Sequence, residues 1–153
     1  MKVTLIDDQE TVDIGLERIE KISKYIGDKF DSSKDSELNI IFIEKKTIKV
    51  LNKKHRDIDK ATDVLSFSYV DNDGFKAEDG FEIVGEIYIS PEVAYENSKS
   101  IEGSWDINCE LVLLIIHGIL HIYDYDHEMV RERIDMEAAQ KSLFNDVSKN
   151  FDI

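Results

Sequence analysis

At 153 residues the chain is long enough for one domain with a core of its own. Its net charge of −14 and pI near 4.6, taken as a uniform average, argue against a nucleic-acid or anionic-membrane partner. The single cysteine, Cys109, excludes an intrachain disulfide, and no apolar run reaches the about 20 residues that span a bilayer.

In chain order, KVTLI at 2–6 predicts a short strand, and the opening MKVTLIDDQE has no apolar stretch of signal-peptide length. Residues 10–29 carry Val12, Leu16, Ile19, Ile22 and Ile26 at helical spacing, which predicts an amphipathic helix. ELNIIFIE (37–44) predicts a buried strand, and 45–56 a helix. DVLSFSY (63–69) and EIVGEIYI (82–89) predict two strands that can pair as a hairpin across the polar, acidic loop 70–82. Ser90, Pro91 and Glu92 read as the N-cap, first helical position and first-turn acid of another helix. Residues 106–122 are apolar nearly all round, the mark of a buried helix, and 128–147 predict a last amphipathic one. The irregular alternation predicts an α+β fold, a single domain over 1–153 with helices on a small mixed sheet of about four strands. A soluble, cytoplasmic protein is expected.

Three of the four histidines fall in HGILHIYDYDH, residues 117–127. His117 and His121 are four apart on the buried helix, so they leave the same face about 5–6 Å apart at Cβ. His127 follows after a turn. Three neutral imidazoles suit zinc and leave a fourth position open, as catalytic sites do. An unpaired buried imidazole would cost roughly 1–3 kcal/mol, so two on one buried helical face call for a partner. The spacing also occurs in the metzincin peptidases, but their general-base glutamate is replaced here by Gly118. Gly118 itself reads equally as a close backbone approach or as tight helix packing.

HGILHIYDYDH resembles HGxLHLxGYDH, the signature of the YbeY family of bacterial metallo-endoribonucleases. LNKKHRDIDKATDVLSF (51–67) resembles the family's LNxxYRxxDxxTDVLSF, and VGEIYIS (84–90) its LGDIxIS. The likeness covers about residues 37–130 well. His55 departs from the family's aromatic, Glu86 from its aspartate and Asp124 from its glycine. The resemblance implies a single-strand-specific endoribonuclease of ribosomal RNA maturation, notably of the small-subunit 3′ end, and of ribosome quality control. It implies one zinc per chain on His117, His121 and His127, with Arg56 acting on RNA in the cleft. Asp59, Thr62, Asp63, Ser66 and Asp126 read as framework around the cleft or behind the ligands. Neither a membrane nor DNA is expected as a partner.

The residues are compatible with that chemistry. Zinc polarises phosphoryl oxygens and acidifies water, and a guanidinium holds phosphate with a two-pronged fork. Whether water or the neighbouring ribose 2′-OH is the nucleophile stays open. The acidic average hides KKTIKVLNKKHR at 45–56, which has no acid; on a helix Lys46, Lys49, Lys53 and Arg56 form one stripe. It reads as a solvated face or as a phosphate track leading into the cleft. Trp105, Tyr123 and Tyr125 read either as base-stacking or as packing residues. Two rival readings remain: a ribosome-assembly factor with a structural zinc, and a peptidase-like metallohydrolase. Where the chain swings back after His121, Asp124 is expected to take positive φ, as a stand-in for glycine.

Overall fold

In a computed structural model the chain forms a mixed sheet with helices on both faces; the structure describes residues 1–70, 75–76, 78–99, 105–123 and 129–153. β1 (Lys2–Asp8) lies parallel to β2 (Ser36–Ile43), and α1 (Leu16–Phe30) makes the crossover between them. α2 (Lys45–Arg56) follows, then β3 (Val64–Ser68), a two-residue β4 (Phe75–Lys76) and β5 (Glu82–Ile89). β5 pairs in parallel with β2 and antiparallel with β3, giving the order β1-β2-β5-β3, with β4 also on β5. α3 (Pro91–Ser98), α4 (Ile107–Ile122) and α5 (Val130–Phe151) complete the chain. The α+β fold, the four main strands and the β3–β5 pair agree with the sequence; β4 was not anticipated.

The alternation of β2 divides the core. Leu38, Ile40 and Phe42 turn to the face covered by α1, α4 and α5, where Ile19, Ile22, Ile26, Ile115, Ile119 and Met136 are buried. Ile41 and Ile43 turn to the other face and meet Ile48 of α2 and Leu65 of β3 in a smaller cluster. β3 is therefore held between α2 on one face and α4 on the other, at the end of the sheet. The Asp63 carbonyl accepts from the Ser90 amide, and the Tyr69 amide donates to the Val84 carbonyl. With the register between them, this turns the backbone groups of Asp63, Leu65, Phe67 and Tyr69 toward β5. Those of Val64, Ser66 and Ser68 face outward, where no described strand pairs with them.

Two helix boundaries differ from expectation by more than two residues. α1 begins at Leu16 instead of residue 10, because the Gln9 side chain ties 9–12 into a turn: it accepts from the Thr11 and Val12 amides and donates to the Val12 carbonyl. Those amides are thereby withdrawn from a helical first turn. α5 runs on to Phe151, past the expected residue 147. α3 is capped as read: Ser90 Oγ accepts from the Val93 amide, with Pro91 first in the helix. Among the described residues no helix is long and apolar enough to cross a membrane.

α4 presses closely on the sheet. A Cβ on Gly118 would come within 2.8 Å of Ile87 Cδ1 on β5, so this glycine is a close-packing position between helix and strand. At its end, Ser68 Oγ donates to the Ile122 carbonyl at 2.7 Å, closing the helix onto β3.

Candidate active site

A cleft of about 350 Å³ opens where β3 ends the sheet. Its walls are the last residues of α2, His55 and Arg56, and the face of α4 that carries His117 and His121. Thr62, Asp63 and the strand Val64–Phe67 lie between them, so Ser66 also lines it. Residues from two separate sequence blocks thus meet in one cavity.

The helical histidines converge. Their Nε2 atoms are 3.0 Å apart and their rings meet at 74°, edge to face. Two nitrogens at 2.0–2.1 Å from one tetrahedral ion would be separated by about 3.3 Å. The pair therefore fits a shared zinc with a small adjustment. His117 Nδ1 lies 3.0 Å from Gln140 Oε1 on α5. A carbonyl oxygen can only accept, so this bond places the proton on Nδ1 and makes Nε2, beside its His121 counterpart, the acceptor nitrogen, the tautomer a metal ligand needs. Sequence reasoning missed Gln140; one glutamine on an amphipathic helix carries no signal of its own. His127 and Asp126, like Asp124 and Tyr125, lie outside the described residues. Among the described residues no group of three metal-binding side chains occurs.

Arg56 owes its position to a turn. Asp57 has φ 56°, in the left-handed region, and its amide closes on the Lys53 carbonyl at 3.1 Å. The α2 helix thereby stops with Arg56 exposed at the cleft. Buried Asn52 donates to the Lys60 carbonyl at 2.9 Å and secures the following loop. Both Asp63 carboxylate oxygens are engaged, one by Thr62 Oγ1 at 3.4 Å and the other by Asn97 Nδ2 at 3.2 Å. Asp63 thus lines the cleft with both oxygens hydrogen-bonded to its own chain. Beyond it, Glu110 is buried and accepts from Trp105 Nε1 at 2.8 Å. Burial pushes its carboxyl up, the Asp63 charge adds to this, and the Trp105 indole opposes it.

The lysine stripe is divided by the fold. Lys46 and Lys49 line a second groove between α2 and α3, together with Asp59, Lys60, Glu92 and Glu96. Lys53 pairs with Asp57 at 2.7 Å, and Lys49 approaches Asp59 at 4.0 Å. Of the stripe only Arg56 lines the histidine cleft, and Asp59 lines the neighbouring groove instead. Trp105 packs on Phe144 and Tyr123 stacks on Phe30, with centroids 5.1 and 5.2 Å apart, so both serve as packing residues. Glu86 accepts from Tyr69 at 2.7 Å and from Tyr88 at 3.4 Å; burial and that carboxylate push the Tyr69 phenol up to about 12.

Residues 4–148 match the family model described as Endoribonuclease YbeY. Endoribonuclease YbeY of Clostridioides difficile is 32% identical over 148 residues, covering 95% of each chain. That of Staphylococcus epidermidis is 33% identical over 134 residues, covering 86% of this chain and 85% of its own. That of Latilactobacillus sakei is 27% identical over 155 residues, covering 95% and 97%. The solution structure of TM1509 from Thermotoga maritima superposes with a TM-score of 0.62 at 28% identity, over 97% of this chain and 91% of that one. With the histidine pair and Arg56 in one cleft, the chain belongs to the YbeY endoribonuclease family.

Proposed function

We propose that this YbeY-family endoribonuclease cuts single-stranded RNA during ribosomal RNA maturation in the cytoplasm, the small-subunit 3′ end included. It does so with one zinc ion on His117, His121 and His127. The observation that carries this reading is the shared cleft: two imidazoles with convergent Nε2 atoms and Arg56 line one cavity at the end of the sheet.

Zinc in such a site supplies Lewis acidity toward a phosphoryl oxygen. The chain's own residues do the rest. Arg56 holds the scissile phosphate and offsets the negative charge that grows on it. The Ser66 hydroxyl offers a donor beside it. Gln140 keeps the His117 ring in the tautomer that presents Nε2.

The deciding experiment combines metal analysis of the purified protein with cleavage assays on single-stranded RNA, duplex RNA and an unstructured protein. Stoichiometric zinc with cleavage confined to single-stranded RNA is expected. Zinc without cleavage would instead favour a structural metal, and proteolysis a peptidase. His121→Ala is expected to lose the metal and the activity together; full zinc content in that variant overturns the ligand assignment. Arg56→Ala is expected to lower cleavage about 10²- to 10³-fold, the effect of removing one charge-stabilising donor. Its zinc content and melting temperature should stay near those of the parent.

A further inference from the structure

We infer that the cleft contains a nucleobase subsite, in which one unpaired base lies on the exposed ring of His55 with its pairing edge toward the outer side of β3. This rests on the RNA reading above and adds how an unpaired strand is told from a paired one.

His55 ends α2 beside Arg56, is exposed, and lines the same cleft. Phe67 of β3 meets it edge to face at 5.0 Å, and Tyr88 of β5 backs Phe67 at 5.8 Å and 82°. The His55 ring is therefore braced from below by two further rings while its own side chain stays exposed. Adjacent residues so present a planar ring and a guanidinium, the two groups that a base and its neighbouring phosphate require. The floor supplies the third element. The N–H and C=O groups of Val64 and Ser66 point away from β5, and both residues line the cleft. Such alternating donors and acceptors complement the edge that a base uses in pairing. In a duplex that edge is occupied and the faces are stacked, so only an unpaired base can enter. The overall charge makes such contacts necessary. At net −14 the surface as a whole repels phosphate, so affinity must come from local contacts of this kind.

The test is an amide NMR titration of the full-length protein, carrying its metal, with adenosine 5′-monophosphate, uridine 5′-monophosphate and ribose 5-phosphate. A mononucleotide has no internal phosphodiester to cut, so the result does not depend on the nuclease activity. Both nucleotides are expected to shift the amides of His55, Val64, Ser66 and Phe67 and to bind more tightly than ribose 5-phosphate. His55→Ala is expected to weaken nucleotide binding about five- to a hundred-fold, the range for one base-stacking contact, and to leave ribose 5-phosphate unchanged. His55→Tyr, which keeps a planar ring, is expected to restore it. Equal binding of ribose 5-phosphate and the nucleotides overturns the subsite, as does undiminished nucleotide binding by His55→Ala, or the absence of any shift at these amides. Nucleotide binding without cleavage of RNA would sink the nuclease reading and leave the subsite standing; cleavage without nucleotide binding would do the reverse.

Discussion

Gln140 is the residue whose role is least visible in sequence and most specific in structure. Its Oε1 fixes the proton of His117 on Nδ1. Gln140→Glu keeps an acceptor at that distance, whereas Gln140→Leu removes it at similar size. The leucine variant is expected to bind zinc about 10- to 100-fold more weakly, the usual cost of losing a partner behind a ligand, with the glutamate variant close to the parent. Competition titration against a chromophoric chelator measures this. ¹⁵N shifts of the His117 ring should show the Nδ1–H tautomer in the parent and a mixture in the leucine variant. The histidine pair itself was legible because a four-residue spacing on a helix has only one geometric outcome. Gln140 was not, because its contact depends on how α5 lies against α4.

At the scale of elements, two local devices aim the cleft. Asp57 makes the left-handed turn after Arg56. Asp57→Gly should preserve stability and RNA cleavage, since glycine takes this conformation without steric cost. Asp57→Val should lower both, because a β-branched residue resists it and the end of α2 shifts; melting curves and cleavage rates check the pair. The left-handed turn expected of Asp124 concerns a residue outside those described. Gly118 is the second device. Gly118→Ala would force its methyl into Ile87 and is expected to cost about 1–3 kcal/mol in denaturant unfolding, the usual penalty of overpacking. The four main strands and α2 were legible because their short apolar runs and an unbroken helical pattern left no competitor. The start of α1 was not, since the apolar positions Val12 and Leu16 fit the helix while the Gln9 side chain claims the local amides.

For the molecule as a whole, acidity and burial act together at Glu110. Its carboxyl titrates above the ordinary range because burial and Asp63 disfavour the charge. The folded chain therefore holds this proton more tightly than the unfolded one. The resulting stabilisation is complete below the unfolded pKa, about 4.3, and is lost as pH rises through the raised folded value. Glu110→Gln keeps an acceptor for Trp105 and has no charge to bury. Its melting temperature is expected to exceed the parent's at pH 7, with the gap closing as pH falls toward 4; a larger gap at pH 4 than at pH 7 would contradict this assignment. The charge average misled at this scale: it pointed away from nucleic acid, while the chain belongs to a family of endoribonucleases.

The bond between His117 and Gln140 also has a place in time. Synthesis delivers α4 before α5, while a domain folds as a unit. A chain halted just short of residue 140 already carries the residues of every strand, Arg56 and every histidine, yet lacks the group that holds the His117 ring. The orientation of His117 therefore waits on α5, the last of the elements to be made.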